Sequence, residues 1–492
     1  MPEWHGFCLR VEKELKVLGI VLDKKLTWQA HVKYCTQKAR RLLAWLRVCV
    51  RTRWGLGRTV VQGLYKGAVE PVLLNGVAVW GAALKRKGVV KQLRSVQAMA
   101  AKAMTRCFKP TRTEVALALA GLPPVDLVGK EVVVLQYTHG IMRRRVEALR
   151  EGCEWSPHLR FVRETLEEAG VDLQWIFERI MLDHELPYPP LRTAVKVTLG
   201  SRDAWAEELL EGARGGRIFT DGSKLEDGSV GAAFVAFNRR GRDVGRGLYR
   251  LPYYYCTVYQ VEGLAQRESA RWTKGPGRGV EWMVASDSLA VLACLKSGRR
   301  MTRLVSEIVQ EVEDRHSFVY IPGHKGHKGN EMADQLAKEA ANAGIKVEVD
   351  VPRAFTRRLA KERTWGHGSG MDMGEDKAYL RFAPTLEDIK EAVWKGGKAG
   401  GHRVLQLLSG HCNLARYLHS RGKRDRAQCD NCGRGEREDV EHYLLHCPRW
   451  AAQRQELSDL IVRNDAQASM ANMLKEGGRL ARFVRSTGRL DF

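Results

Sequence analysis

The chain has 492 residues and a formal net charge of +24 at pH 7, from 81 Lys and Arg against 57 Asp and Glu. Its length suits about three domains, and a hydrophobic share of 44% can build sizeable cores. The 11 cysteines follow no disulfide-framework spacing. This argues against a disulfide-stapled secreted protein and predicts reduced thiols and an intracellular location.

Positive charge is concentrated near the start of the chain, where residues 1–110 contain 22 Lys and Arg against 5 Asp and Glu. Such an excess predicts a polyanionic partner. No cleavable signal sequence is visible, and the most apolar run, residues 68–84, is interrupted by Glu70, Pro71 and Asn75. Because that run is too short to span a bilayer, a soluble protein without a membrane partner is predicted.

The N-terminal region is predicted to be mainly helical. Residues 15–23 indicate a strand that enters a turn, and helices are predicted over 31–50, 58–80 and 89–108. The first helix has Lys and Arg opposite its apolar face, which consists of Val32, Cys35, Ala39, Leu42, Leu43 and Leu46. A basic helix face is either a solvated surface or a nucleic-acid contact, and the regional charge favours the contact.

Three runs in residues 1–130 resemble the end of the palm and the thumb or connection of a non-LTR retrotransposon reverse transcriptase. They are Leu18-Gly19-Ile20-Val21-Leu22-Asp23, Pro71 to Gly81, and Leu119-Ala120-Gly121-Leu122-Pro123-Pro124. A polymerase needs its own carboxylates on adjacent strands to hold two metal ions, and the sequence contains no Asp-Asp pair. No DNA synthesis by this chain alone is therefore expected. Residues 131–213 are predicted to be a helical connector.

The middle third places four carboxylates at the ends of predicted elements. Strands are predicted over 217–220, 230–237, 245–251, 282–285 and 317–321, and helices over 258–265, 289–295, 304–312 and 330–342. Asp221 and Asp287 follow strands, and Glu262 projects from a helix that lies on the sheet. With Asn330 as the N-cap, Asp334 falls in the first turn of the last helix.

Four carboxylates on neighbouring elements can supply hard oxygen ligands to two Mg²⁺ ions ~3.5–4 Å apart. Such ions activate a water and stabilise the leaving oxygen of a phosphoryl displacement. Each carboxylate taken singly also has a structural interpretation, as a turn or cap residue, a solvated helix residue, or a first-turn acid that suits the helix dipole.

The order and context of these residues resemble the ribonuclease H type 1 family, over about a quarter of the chain. The matching motifs are Thr220-Asp221-Gly222-Ser223, Gln260-Val261-Glu262, Ser286-Asp287-Ser288 and the run from His324 to Asp334. The resemblance implies a five-stranded mixed sheet flanked by helices, within residues 214–344. It also implies hydrolysis of the RNA strand of RNA–DNA hybrids.

By the same resemblance, the Mg²⁺ ligands are Asp221, Glu262, Asp287 and Asp334, with Mn²⁺ as an alternative ion. His324 would lie on a flexible loop that assists proton transfer or product release. Two departures stand out: Gly263 replaces an apolar helix former, and Tyr320-Ile321 precedes the Pro-Gly-His run where a tryptophan is common. The short interval between Asp287 and Asp334 looks like the branch without an extra basic hybrid-binding helix. Substrate binding would then need other surfaces.

After a predicted linker over 345–400, the C-terminal region, residues 401–492, carries a second metal motif. Its pattern is Cys429-x₂-Cys432-x₉-His442-x₄-Cys447. Three thiolates and an imidazole can complete a tetrahedral zinc shell in a segment too small to fold otherwise, although four such residues can also fall together by chance. The spacing resembles the Cys-Cys-His-Cys knuckle at the C-terminus of the same retrotransposon polyproteins, which implies a structural Zn²⁺ over residues 429–447.

Several neighbours of this motif have two interpretations. The basic run 421–426 could contact phosphates, and Trp450 could stack on a base. Equally, the run could be a solubilising loop and the tryptophan a packing residue. Cys412 and His446 lie near the motif but match no ligand position.

The sequence thus predicts a multidomain α/β protein, with a mainly helical N-terminal region, a ribonuclease H-like sheet and a zinc-bound C-terminal module. The expected activity is Mg²⁺-dependent endonucleolytic cleavage of RNA in RNA–DNA hybrids. The alternative is a catalytically silent fragment that still binds RNA or DNA. A stand-alone cellular ribonuclease H explains the flanking regions less well. A full-length reverse transcriptase could be a partner, and nuclear residence follows only from what such elements do.

Overall fold

The computed structural model describes residues 3–4, 7–8, 12–49, 58–139, 156–171, 195–200, 208–251, 255–298, 302–323, 326–366, 397–455 and 477–490. The strands there are β1 Glu3–Trp4, β2 Phe7–Cys8, β3 Glu14–Val17, β4 Ile20–Asp23, β5 Lys196–Thr198, β6 Gly216–Lys224, β7 Val230–Phe237, β8 Asp243–Leu251, β9 Trp282–Ser286, β10 Ser317–Tyr320 and β11 Ile345–Lys346.

The helices of the N-terminal part are α1 Gln29–Cys49, α2 Arg58–Leu64, α3 Glu70–Leu73, α4 Val77–Trp80, α5 Lys87–Thr105, α6 Thr113–Ala120, α7 Val125–His139 and α8 Pro157–Glu168. They are followed by α9 Val258–Lys274, α10 Leu289–Ser297, α11 Arg303–Glu311, α12 Lys328–Ala343, α13 Arg353–Gly366, α14 Gly397–Leu408, α15 Ala415–Ser420 and α16 Gly477–Thr487. Single π turns occupy Tyr65–Val69 and His442–His446, and 3₁₀ turns occupy Gly81–Lys85 and Pro448–Trp450.

The chain divides into two compact units. One, called here the central unit, contains Val134–Gly152 and Gly170–Leu359. The other, the terminal unit, contains Met1–Val133, Cys153–Ala169 and Ala360–Phe492. The middle of the sequence therefore forms one body, and segments from both ends of the chain form the other.

The central unit is built on a mixed sheet in the order β11-β8-β7-β6-β9-β10-β5. The pairs β6–β7 and β7–β8 are antiparallel, whereas β6–β9 and β9–β10 are parallel. The predicted mixed sheet is confirmed, and its five strands are extended at the edges by the short strands β5 and β11. Strand β5 lies in the predicted connector, so that connector is not purely helical.

The two faces of this sheet are covered by different helices. Side chains alternate along β6, with Ile218 in a cluster that includes Val291 and Ile308, and Phe219 in a cluster that includes Ala337. This period of two is expected where both faces of a strand are buried. Helices α9, α10 and α11 therefore cover one face and α12 covers the other.

Two predicted boundaries were wrong. The chain does not turn at Asp221, because β6 continues to Lys224 and stays paired with β7 as far as the Lys224–Val230 pair. Asn330 is not an N-cap, since α12 begins at Lys328 after His327. Asp334 consequently lies in the second turn of α12. Pairing with β7 extends β6 beyond the Asp221-Gly222-Ser223 breaker.

Close packing of α12 on β7 depends on Gly231. A Cβ atom at this position would lie 2.2 Å from the Ala337 carbonyl oxygen, which is backbone and cannot rotate away. We expect Gly231→Ala to destabilise the central unit by about 1–3 kcal/mol. Gly88→Ala is the control, because a Cβ there meets nothing within 4 Å and alanine favours a helix. Urea unfolding of both variants measures this, and equal stability would contradict the packing role of Gly231.

The terminal unit contains the predicted first helix, α1, which buries Val32, Cys35, Ala39 and Leu43. The predicted strand over 15–23 is instead a hairpin of β3 and β4. The predicted continuous helix over 58–80 is also wrong. It breaks where Gly76 adopts φ +67°, and the Asn75 carbonyl accepts a 2.7 Å hydrogen bond from Trp80 Nε1. An Asn-Gly pair commonly ends a helix, so the sequence contained this indication.

Helices from the two ends of the chain share one hydrophobic core in the terminal unit. Phe108 stacks on Tyr417 with ring centroids 6.0 Å apart, and Thr111 Oγ1 lies 2.8 Å from His411 Nδ1. The common core includes Cys107, Val115, Leu119, Leu405, Cys447 and Phe483. The C-terminal region is therefore integrated with the N-terminal helices.

Within the described residues, no single helix has the length and apolarity to cross a bilayer. Only when taken together do two helical segments that meet at a bend, Thr59–Leu73 and Val77–Lys85, have the length and composition of a membrane span. Their side chains Val69, Leu73 and Trp80 are buried inside the protein.

Candidate metal centres

Strand register brings Asp221 next to Asp287. Strands β6 and β9 run parallel with Thr220 opposite Ser286, so the following residue on each strand lies at the same edge of the sheet. The Ser286 hydroxyl accepts hydrogen bonds from Gln266 Nε2 at 3.0 Å and from the Ser288 amide at 3.2 Å. These bonds hold the chain as it leaves β9. The predicted position of Asp287 after a strand is confirmed.

Glu262 reaches the same place from α9. This helix begins with a capping box, in which the Thr257 hydroxyl accepts from the Gln260 amide and the Gln260 side chain accepts from the Thr257 amide. It lies close to β6, because a Cβ on Gly222 would meet the Glu262 amide nitrogen at 2.8 Å. On the opposite side, a Cβ on Gly263 would meet Leu304 at 2.8 Å. The glycine that departs from the family pattern thus fits tight packing of α9 against α11.

Asp221, Glu262 and Asp287 form a compact acidic cluster. One carboxylate oxygen from each lies within 4.8 Å of the corresponding oxygens of the other two. Asp334 approaches from α12, and its charge contributes to the raised pKa of Asp221. It also forms a 2.6 Å ion pair with Lys338. Asp221 therefore stands between the Glu262–Asp287 pair and Asp334.

Burial and mutual repulsion make this cluster unfavourable as a set of bare anions. Burial, reinforced by Asp287 and Asp334, raises the pKa of Asp221 to about 7. Burial, with Asp221 and Asp287 nearby, raises the pKa of Glu262 to about 9. Among the residues that the structure describes, Glu262 Oε2 also finds no hydrogen-bond partner. A buried carboxylate oxygen without a partner is costly, and a cation would remove that cost.

The donor set fits hard divalent cations. All four residues offer carboxylate oxygens, which Mg²⁺ and Mn²⁺ prefer, and they come from β6, α9, the segment after β9 and α12. A Cβ on Gly323 would lie 2.7 Å from Asp287 Oδ2, so the absence of a side chain there leaves room for this carboxylate. His324 lies outside the described residues.

The cysteine motif also closes in space. The ligand atoms of Cys429, Cys432, His442 and Cys447 all lie within 4.8 Å of one another. Cys429 Sγ and Cys447 Sγ are 3.9 Å apart, and Cys432 Sγ is 3.5 Å from His442 Nε2. Tetrahedral zinc bonds imply about 3.8 Å between two sulfurs and about 3.5 Å between sulfur and nitrogen. The spacing of the donor atoms therefore fits Zn²⁺ closely.

The local backbone structure directs these four side chains toward one another. A tight turn between Cys429 and Glu436, closed by a 2.8 Å hydrogen bond from the Cys429 amide to the Glu436 carbonyl, presents the first two cysteines. The following π turn presents His442, and Cys447 ends it. Because burial raises the pKa of Cys429 to about 12, its thiolate requires a cation.

Two carboxylates behind the ligands went unrecognised in the sequence. Glu436 Oε2 lies 2.7 Å from His442 Nδ1, on the other side of the ring from the thiols, where metal-bound histidines commonly have a carboxylate neighbour. Glu438 is 1% exposed and accepts from Arg489 Nε at 2.7 Å and from the Ala415 amide at 2.8 Å. The position of Glu436 between Cys432 and His442 could have indicated from the sequence that it lies near the metal ligands. The Glu438–Arg489 pair, 51 residues apart, was not.

The structure decides some of the open interpretations around this motif. Trp450 is buried and packs edge-on against Tyr443, so it is a packing residue and not a base-stacking surface. Arg424 is paired with Asp430, while Arg421, Lys423 and Arg426 are exposed and remain compatible with either proposed role. Cys412 is buried in the common core, outside the four-residue cluster.

This sheet, with acidic residues converging at the end of β6, is the architecture of a ribonuclease H domain. A family model described as RNase H matches residues 215–342. The predicted resemblance to this family is confirmed for that part of the chain.

The chain is also similar to polyproteins of R1 and jockey non-LTR retrotransposons, and it fits their C-terminal part. It is 31% identical over 161 residues to a Pol polyprotein from retrotransposable element R1 4 of Nasonia vitripennis, covering 30% of this chain and 40% of that protein. It is 29% identical over 123 residues to an R1 Pol polyprotein of Bradysia coprophila, covering 25% and 12%. It is 32% identical over 105 residues to the RNA-directed DNA polymerase from mobile element jockey of Drosophila melanogaster, covering 21% and 11%. These matches span less than half the length of each relative.

Proposed function

We propose that the protein hydrolyses the RNA strand of RNA–DNA hybrids endonucleolytically, with two divalent cations held by the acidic cluster. The observation that carries this proposal is the convergence of carboxylate oxygens from Asp221, Glu262 and Asp287 within 4.8 Å, with Asp334 near enough to contribute to the raised pKa of Asp221. Such convergence on a ribonuclease H sheet has a clear chemical use, because it concentrates hard ligands where a phosphodiester can approach.

The residues have distinct tasks in this proposal. Bound divalent ions would activate a water and neutralise charge on the leaving oxygen. Asp221 is suited to serve both ion positions, since it adjoins Glu262 and Asp287 on one side and Asp334 on the other. Gly222 lets α9 approach β6 and so keeps Glu262 in the cluster. Binding of a polyanionic substrate agrees with the net charge of +24.

Cleavage of a labelled hybrid tests the proposal. We expect Mg²⁺-dependent internal cuts in the RNA strand of an RNA–DNA duplex. The same sequence as single-stranded RNA or duplex DNA should stay intact, because recognition requires a 2′-hydroxyl within a hybrid helix. Binding to all these nucleic acids without any cutting would instead identify a silent nucleic-acid-binding protein.

The raised carboxyl pKa values predict a linked dependence on pH and metal. Without divalent ions, the folded cluster retains protons up to about pH 7 at Asp221 and about pH 9 at Glu262. An unfolded chain loses them near pH 4, about the ordinary carboxyl pKa, so stability should fall as pH rises between these limits. Metal binding must displace those protons, and half-maximal cleavage should need less Mg²⁺ at pH 8.5 than at pH 7. Mg²⁺ titrations at both pH values measure this, and an unchanged midpoint would contradict it.

We propose further that Cys429, Cys432, His442 and Cys447 hold one structural Zn²⁺. The support is the match of their donor separations to a tetrahedral zinc shell and the position of Glu436 behind His442. With four protein ligands the shell is closed, so this site would stabilise the fold and leave the chemistry to the acidic cluster.

A further inference from the structure

The fourth carboxylate of the acidic cluster differs from the others in its surroundings. Asp334 and Lys338 lie one turn apart on α12, and the ammonium donates a 2.6 Å hydrogen bond to Asp334 Oδ2. The Lys338 side chain is 53% exposed and that of Asp334 is 27% exposed. This pair therefore lies on the solvent side of a cluster in which Asp221 and Glu262 are buried.

The position beside Asp334 is also where a second ion would lie. Asp221, Glu262 and Asp287 surround one position by themselves, because their oxygens are all within 4.8 Å of one another. Asp334 lies outside that set, but it is close enough to Asp221 to contribute to the raised pKa of that carboxyl. An ion beyond the first would thus lie between Asp221 and Asp334, next to the Lys338 ammonium.

An ammonium and a divalent ion compete for the same carboxylate. Mg²⁺ demands near-octahedral geometry at about 2.0–2.1 Å and is selective about the orientation of its ligands. The ammonium is a compact charge on a flexible stem, so it can occupy Asp334 in the ion-free protein and then move away. Its positive charge also opposes the entry of a dication, although exposure to solvent weakens that effect.

We propose that Lys338 is a resident cation at the second metal position, and that it sets the divalent-ion concentration at which this position fills. The inference deepens the proposed nuclease function and rests on it. Lys338 acts through Asp334 and is therefore a positioning residue. In the ion-free protein it holds Asp334, and it releases one carboxylate oxygen when the second ion binds.

Ion binding can be measured apart from catalysis. Mn²⁺ is titrated into the zinc-loaded full chain, and free Mn²⁺ is followed by electron paramagnetic resonance. We expect Lys338→Met to tighten the weaker of two binding steps by roughly three- to tenfold and to leave the tighter step unchanged. Lys338→Arg preserves the charge and should bind as the unaltered chain does. In an Asp334→Asn background, Lys338→Met should have no effect.

A matched control separates this local effect from the change in net charge. Lys328→Met removes the same charge from the first, exposed residue of α12, six residues before Asp334, and should leave both binding steps unchanged. Hybrid cleavage by Lys338→Met should reach half-maximal rate at a correspondingly lower Mg²⁺ concentration.

The outcomes distinguish this inference from the nuclease proposal. The role of Lys338 is overturned if Lys338→Met binds Mn²⁺ with unchanged or lower affinity, or if every variant shows a single binding step. Neither result bears on the nuclease proposal, which hybrid cleavage tests by itself. Tighter binding of the second ion without hybrid cleavage overturns the nuclease proposal and supports the role of Lys338.

Discussion

Replacing Asp221 with asparagine is expected to abolish hybrid cleavage. Asp221 adjoins Glu262 and Asp287 as well as Asp334, so the variant weakens both ion positions at once. Loss of a residue that only hydrogen-bonds to a metal ligand lowers metal affinity or activity by ~10–100-fold. Loss of Asp221, which adjoins both ion positions, should therefore lower the cleavage rate by more than about 100-fold. The measurement is the initial rate of RNA-strand cleavage at saturating Mg²⁺.

The same variant should keep its fold. In the ion-free cluster, burial and the neighbouring acids already raise the pKa of Asp221 to about 7. A neutral amide removes that repulsion, so the thermal midpoint without divalent ions should be equal or higher at pH 8. Asp227→Asn is the control, because Asp227 is exposed in the β6–β7 turn, where it accepts a hydrogen bond from the Ser229 amide. Full activity in Asp221→Asn would refute the assigned role of the cluster.

Removing zinc is expected to unfold the C-terminal region. Binding energy at a structural zinc site is folding energy, and Cys429 and Cys447 belong to the common core of the terminal unit. His442→Ala should lower zinc content from one ion per chain toward none and should speed amide exchange over residues 427–447. Since this core includes Val115 and Leu119, exchange in α6 should increase as well.

Two neighbouring residues provide controls for the zinc experiment. His446→Ala changes an exposed histidine that lies outside the four-residue cluster. Cys412→Ala changes a buried cysteine that also lies outside it. Both variants should retain one zinc ion per chain. Full zinc content in His442→Ala, or its loss from both controls, would show that the ligand set is wrong.

Much of the central unit was predictable because its local patterns agree with its tertiary structure. Strands were predicted over 217–220 and 230–237, where β6 and β7 lie, and Asp287 followed its strand as expected. The cysteine spacing indicated the second cluster, since four ligands within 19 residues need little long-range organisation to meet. In these places, side-chain periodicity and chain length restrict the possible structures strongly.

The sequence by itself determined the types of side chain at both metal centres and most of the elements that carry them. Tertiary structure alone decided that β6 runs past Asp221, because that extension depends on pairing with β7. It also decided that β5 joins the sheet beside β10 and that Arg489 neutralises Glu438. Sheet pairing and buried ion pairs join residues that are distant in the chain. Their free energy depends on what the completed fold brings together, which no local pattern contains.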